Sequence, residues 1–174
     1  GGFAEVAAKE FGARVTGLTI SDEQFAFACE RMQREQLTDK VDIRMQDYRD
    51  VQGPFDKVAS IEMFEAVGEK YWPTYFGKVA DVLKPGGRAG LQIITIRDDL
   101  FERYRNRVDF IQKYVFPGGM LPSLKRLDEE TSRVGLRRES VDQFGICYAE
   151  TLAEWGRRFR GAWTDIASMG FDER

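Results

Sequence analysis

The chain has 174 residues, 43% hydrophobic and 32% charged, with a net charge of −3. A chain of that size can bury a core as one soluble globular domain, mild acidity gives no basic stripe for nucleic acid, and no run reaches the roughly 20 apolar residues of a membrane span. Histidine is absent, so acid–base work falls to carboxylates, tyrosine, water or a bound ion, and no metal site is expected.

The chain opens as an alanine-rich helix, Gly1 to Phe11, closed by Gly12. Arg14 to Ile20 is a short apolar run suited to a buried parallel strand. Ser21 follows as N-cap with Gln24 three residues on, in capping-box spacing, and Phe25, Cys29 and Met32 recur at helical intervals. Val41–Met45 alternates as a strand, and Lys57–Ile61 is another buried strand. Tyr71 to Leu83 reads as a helix starting near Pro73. Lys84-Pro-Gly-Gly87 is a turn, and Ala89–Ile96 an apolar strand. Helices and strands alternating in this order predict an α/β fold, a mostly parallel sheet with helices on both faces.

Beyond residue 97 the character changes. Asp98 to Tyr114 is a charged and aromatic helical stretch with Phe101, Tyr104, Val108 and Ile111 on one face. A glycine- and proline-rich loop follows, then a helix to about Arg133. Val141–Phe144 reads as a late strand, and Thr151–Met169 as a helix burying Leu152, Trp155, Phe159, Trp163 and Ile166. A single domain over 1–174 is expected, with 97–140 as an insertion. No charged-then-apolar leader opens the chain. Cys29 and Cys147 form no CxxC, so neither a disulfide framework nor a zinc site is expected, and a reducing cytosol is the natural setting.

Parallel sheets bind ligands beyond the carboxyl ends of their strands, where Thr19, Asp47, Glu62, Glu65 and Gln92 fall. Ser60-Ile-Glu-Met-Phe-Glu-Ala-Val-Gly68 runs off an apolar strand into a loop with two carboxylates. Phe116-Pro-Gly-Gly-Met-Leu-Pro-Ser123 is an apolar loop. The pairing suits a site where a charged reagent meets an apolar substrate. A nucleotide-binding sheet of this type begins with a central strand before its first glycine loop. That strand is expected upstream of Gly1, and the Phe171–Arg174 end reads as mid-element, so the working protein is expected to be longer.

Gly1-Gly-Phe-Ala-Glu5, Val15 to Gln24, Gln46-Asp-Tyr-Arg-Asp50, Ser60 to Gly68, Leu83-Lys-Pro-Gly-Gly87 and Asp109 to Ser123, in that order, resemble the cyclopropane-fatty-acid synthase family, which includes the mycolic acid methyltransferases. The lysine-proline-glycine-glycine turn is common to many methyltransferases; the Glu62–Glu65 loop and the Phe116–Gly119 loop are more specific. The resemblance implies a Rossmann-like class I methyltransferase fold and S-adenosylmethionine as cofactor.

Gly1 and Gly2 match the end of the family's glycine-rich loop; as bare sequence they are equally a helix-start pair. Thr19 and Gln24 match residues that bond the ribose, while Gln24 also serves its cap. Gln46, Asp47 and Tyr48 fall where adenine would lie, Asp47 accepting from its amino group and Tyr48 stacking; without the resemblance this is a solvated loop. Glu62 is placed at the methionine end of the cofactor, or is a plain loop carboxylate.

The chemistry implied is attack of a cis double bond on the sulfonium methyl, a transient cation on the chain, removal of a methyl proton and ring closure. Phe110, Tyr114 and Phe116, with Gly118 in the loop, are placed against the acyl chain, aromatic faces tolerating the cation; core packing is the alternative. The family's base is a bicarbonate held by a glutamate, a histidine, a tyrosine and a cysteine. Glu65 matches the glutamate, Tyr148 the tyrosine, and Gln92 stands at the histidine position. The cysteine would lie upstream of Gly1; Cys147 is expected to be a buried structural thiol.

The implied substrate is an unsaturated acyl chain of a membrane phospholipid. The enzyme would be cytoplasmic and peripheral at the inner membrane face, with Met120 and Leu121 dipping into the lipid. A homodimer is among the assemblies allowed. The alternatives are a methyltransferase making a methyl-branched lipid or methylating a small molecule, and a cofactor-binding paralogue without catalysis.

Overall fold

The structure, a computed structural model, describes residues 1–172; Glu173 and Arg174, in the expected unfinished C-terminal element, lie outside the described residues. The chain forms two compact units, Gly1–Arg137 and Arg138 onward.

The first unit begins with α1 (Gly2–Phe11). Gly12 ends it at φ 65°, a left-handed conformation that costs glycine nothing. β1 (Val15–Thr19), α2 (Asp22–Arg34) and β2 (Val41–Met45) follow. β1 and β2 pair in parallel from Val15 opposite Val41 to Thr19 opposite Met45. Alanines make this possible: Ala4 and Ala8 of α1 bury beside Met32, Leu37 and Val41, letting the helix lie close.

β3 (Phe55–Ile61), α3 (Trp72–Val82) and β4 (Leu83–Gln92) form the next layer, with Pro73 in the first turn of α3. β3 and β4 pair in parallel up to Ile61 opposite Gln92. Among the described residues the two pairs are separate two-stranded sheets. Phe64, Trp72, Tyr75, Phe76, Val79 and Phe101 form the larger core. Burying each aromatic contributes about 1.5–3 kcal/mol. α4 (Asp98–Arg105) and α5 (Leu124–Arg133) complete the unit. The second unit holds α6 (Gly145–Gly161) and α7 (Trp163–Ser168).

The predicted order of elements through residue 92 is present. Several expectations are corrected. The strands expected to be buried are half-open: among the described residues β1 and β3 each pair with one neighbour. Lys84–Gly87 lies within β4 as an irregularity: the ladder leaves Leu83 opposite Phe55 and resumes at Arg88 opposite Lys57. β4 stops at Gln92, and Ile96 forms only an isolated bridge with Ser123.

The expected helix from Asp98 to Tyr114 breaks after Arg105 and resumes as a π-helical turn over Ile111–Val115. Of its predicted face only Phe101 is buried; Val108 is 74% exposed. Val141–Phe144 forms no strand, having no backbone neighbour to pair with among the described residues. The last helix breaks at Ala162, and Leu152, Trp155 and Phe159 are exposed rather than buried.

Candidate cofactor and catalytic site

Thr19 is the last residue of β1. Its hydroxyl donates to Gln24 Oε1 at 2.9 Å and accepts from the Ser21 N–H at 3.2 Å. The capping box therefore forms by half. Ser21 Oγ accepts from the Gln24 N–H, but the return bond is made by Thr19. Gln24 is thus oriented by its carbonyl oxygen, which leaves its amide NH₂ to donate to a hydroxyl-bearing ligand. The Gln46 N–H donates to Thr19 O at 2.9 Å, joining the two strand ends.

Asp47 caps a short 3₁₀ turn, Tyr48–Asp50. Its carboxylate accepts from the Arg49 N–H, Nε and Nη2 at 2.9, 2.9 and 2.6 Å. Arg49 beside it holds the carboxyl down at about 2, so Asp47 is a fixed anionic acceptor. The half-buried Tyr48 meets the ring of Tyr75 edge-on at 5.7 Å, and burial pushes its hydroxyl pKa up. At the start of α1, a Cβ on Gly1 would sit 3.4 Å from Ala28 Cβ. That is an ordinary van der Waals distance, so helix packing does not by itself require glycine there.

The other half of the site lies at the ends of β3 and β4. Glu62 follows β3 with φ 49°, a left-handed conformation unusual for a side-chain-bearing residue. Its N–H donates to Gln92 O at 2.9 Å, and Gln92 Nε2 donates back to Glu62 Oε1 at 3.0 Å. The strained backbone thus lets Glu62 bond both the main chain and the side chain of Gln92.

Glu65 sits in the 3₁₀ turn Phe64–Ala66, anchored by fully buried Phe64. Phe64 stacks on Trp72 at 5.2 Å and meets the edge of Tyr75 at 4.9 Å. Glu65 Oε1 accepts from the Ile94 N–H at 2.6 Å, and its main-chain oxygen accepts from the Met120 N–H at 2.9 Å. Glu65 Oε2 is buried without a hydrogen-bond partner. One oxygen is held and the other faces inward as an unused acceptor, an arrangement suited to receiving a proton or a donor group.

Tyr75 went unnoticed in the sequence because it occupies an ordinary core position of a helix. It is 2% exposed, and its hydroxyl is also unpartnered. Burial, reinforced by the Glu65 charge, pushes its pKa up to about 12 against the lowering influence of nearby Ser60, which makes no bond of ordinary geometry. The Ile94 N–H was invisible for another reason: a main-chain donor carries no residue signature.

Phe110, Tyr114 and Phe116 are 68%, 63% and 66% exposed, so core packing does not explain them. Phe110 and Tyr114 lie 5.2 Å apart, and Gly118 turns the loop at φ 81°. Met120, expected to reach into lipid, packs against the core instead, and Leu121 is half-buried beside it. Tethering of Met120 to Glu65 explains this. In the second unit Tyr148 meets Trp155 edge-on at 6.3 Å. Cys147 is exposed there, not the buried structural thiol expected, because α6 buries no face among the described residues. The structure thus assembles Thr19, Gln24 and Gln46 at one pair of strand ends and Glu62, Glu65 and Gln92 at the other.

Parallel strands with helices between them and polar groups at their carboxyl ends fit a class I S-adenosylmethionine-dependent methyltransferase fold. Solved structures of that class superpose well. The cyclopropane synthase MmaA2 from Mycobacterium tuberculosis matches with a TM-score of 0.82 at 20% identity, over 94% of this chain and 60% of that one. Mycolic acid cyclopropane synthase CmaA1, complexed with SAH and CTAB, matches at 0.79 and 24% identity, over 90% and 58%. The mycolic acid cyclopropane synthetase family model matches residues 1–174, and the chain belongs to that family. Tuberculostearic acid methyltransferase UfaA1 of Mycobacterium tuberculosis is 39% identical over 93% of this chain and 38% of its own length. Cyclopropane-fatty-acyl-phospholipid synthase of Escherichia coli is 39% identical over 100% and 43%. The chain spans about two-fifths of the length of these relatives.

Proposed function

We propose that the protein carrying this chain transfers a one-carbon unit from S-adenosylmethionine to the cis double bond of an unsaturated phospholipid acyl chain, forming a cyclopropane ring. The observation that carries this is Glu65: one oxygen fixed by Ile94, the other buried and unpartnered, at the carboxyl ends of parallel strands. S-adenosylmethionine, when bound, supplies an electrophilic methyl group. Gln24, oriented by Thr19, donates to the ribose; Asp47 accepts from the adenine amino group while Arg49 keeps it ionised, and Gln46 and Tyr48 complete that wall. Gly1 and Gly2 give the backbone room, and Glu62 faces the methionine end.

Glu65 Oε2 suits a bound bicarbonate, whose hydroxyl can donate to it, and that ion would accept the methyl proton. Gln92 already donates to Glu62, so in this reading it orients Glu62 and carries no proton. Segment 97–140 contacts the acyl chain, with Phe110, Tyr114 and Phe116 giving apolar and cation-tolerant surface. No described helix is long and apolar enough to cross a membrane. The exposed aromatics fit a cytoplasmic enzyme touching the inner membrane face.

The second reading is a branched product: the same cation loses its proton to leave a methylene branch instead of closing the ring, and the 39% identity to a relative named as a methyltransferase supports it. One experiment separates the two: full-length protein, labelled S-adenosylmethionine and monounsaturated phospholipid vesicles, followed by mass analysis of the released acyl chains. Gain of CH₂ with loss of the double bond, abolished in Glu65→Gln, supports cyclopropanation. A methyl or methylene branch supports the second reading. No transfer with cofactor bound ends both.

A further inference from the structure

The loop carrying Glu65 is gripped at two points. The first is Glu65 itself, bonded to Ile94 and Met120. The second is Glu69, four residues on. Glu69 Oε2 accepts from Arg105 Nε of α4 at 2.9 Å, and its Oε1 lies 3.8 Å from Arg126 Nη2 of α5. Arg126 also donates through Nη2 to Glu130 at 3.2 Å and through Nη1 to Glu129. Arg133 Nη1 reaches the same Glu130 oxygen at 2.8 Å.

Glu130 is 2% exposed, and such a carboxylate persists only when paired. Its pairing fixes the rigid Arg126 fork in the orientation that points towards Glu69. The Arg126 guanidinium lies 5.9 Å from the centre of the Trp72 ring, and Trp72 stacks on Phe64, the neighbour of Glu65. Glu130 Oε2 and Arg126 Nε remain buried without partners. A cluster left partly unsatisfied is poorly suited to stabilising the fold, which favours a role in placing the loop.

We propose that Glu69 and Arg126 are positioning residues for Glu65: the ion cluster of α4 and α5 clamps the loop so that the Glu65 carboxylate stays on Ile94 with its second oxygen turned inward. This rests on the reading of Glu65 as the working carboxylate.

The test uses full-length protein and two variants, Glu69→Gln and Arg126→Met. Glu69→Gln leaves the Arg126–Glu130 pair intact, so it reads the clamp even if Arg126→Met fails to fold. Backbone hydrogen exchange is followed at the Ile94 and Met120 amides, and transfer is measured with S-adenosylmethionine and vesicles of monounsaturated phosphatidylethanolamine. Faster exchange at those two amides is expected, by on the order of tenfold, with kcat falling ten- to a hundredfold and KM for the cofactor unchanged. Unchanged exchange in Glu69→Gln overturns the clamp. So does a uniform rise across α3, β3 and β4, which would mark a merely structural prop. If the wild-type protein transfers nothing, the reading of Glu65 fails, and the exchange pattern alone decides the clamp.

Discussion

Glu65 and Ile94 are joined at 2.6 Å by a bond from a main-chain N–H just past β4 to a carboxylate just past β3. One oxygen is thereby fixed by a donor that no side-chain substitution removes, while the second stays buried and unpartnered. In Glu65→Gln the amide oxygen can keep the Ile94 bond, but the inward atom becomes an NH₂ that donates and cannot accept. Transfer is expected to fall at least about a hundredfold while cofactor affinity stays within a few-fold. Steady-state kinetics beside calorimetric titration with the cofactor checks this; loss of both together would mean that Glu65 serves the fold.

Glu62 at φ 49° offers a trade between stability and binding. Glycine relieves a backbone strain of about 1 kcal/mol but removes the carboxylate. Glu62→Gly is expected to unfold at the same or higher denaturant concentration while binding the cofactor roughly tenfold more weakly, about 1.4 kcal/mol. Denaturant melts and titration on one preparation decide it, and unchanged affinity would make Glu62 a plain loop residue.

Tyr75 ties alkaline stability to a buried hydroxyl. Its pKa stands at about 12, above the ordinary 10, because burial disfavours the phenolate. The unfolded chain therefore loses this proton first as pH rises. The contribution is complete below pH 10 and is lost between pH 10 and 12, about 3 kcal/mol in all. Tyr75→Phe should flatten that limb and, since it deletes an unpartnered hydroxyl, leave stability at pH 7 equal or up to about 1 kcal/mol higher. Unfolding curves at pH 7, 10 and 11 test it; a parallel alkaline loss in the variant would exclude Tyr75.

Asp47 acts at the opposite end of the scale. Arg49 holds its carboxyl at about 2, below the ordinary 3.8. The stabilisation is present above pH 3.8 and fades as pH falls through about 2. With the side chain 27% exposed, solvent screening keeps it under about 1 kcal/mol. Asp47→Asn should be slightly less stable than the parent at pH 6, and the two should converge near pH 2. The same variant should weaken cofactor binding several-fold, which a surface ion pair without a ligand role would not do.

The exposed aromatics give a prediction about substrate alone. Phe116→Ser should raise KM for vesicle lipid with little change in cofactor affinity. Equal kinetics on vesicles and on detergent-dispersed lipid in parent and variant would remove the membrane-contact role.

Local chemistry made much of this legible in the sequence. Gly12 closing α1, Ser21 starting α2 and Pro73 opening α3 are decisions taken within a few residues, so composition and spacing determine them. The strand ends could be placed the same way, and with them the positions of Thr19, Glu62 and Gln92. Burial was not legible. Val108, Leu152 and Trp155 carry the helical spacing of core residues yet are exposed, since periodicity defines a face without supplying what covers it. Polar pairing was not legible either. Only the tertiary structure decided that Gln92 serves Glu62, and that Glu65 takes its donor from Ile94 and its anchor from residues 69, 105 and 126, because hydrogen bonds across distant segments depend on where the backbone brings them and leave no mark in local spacing.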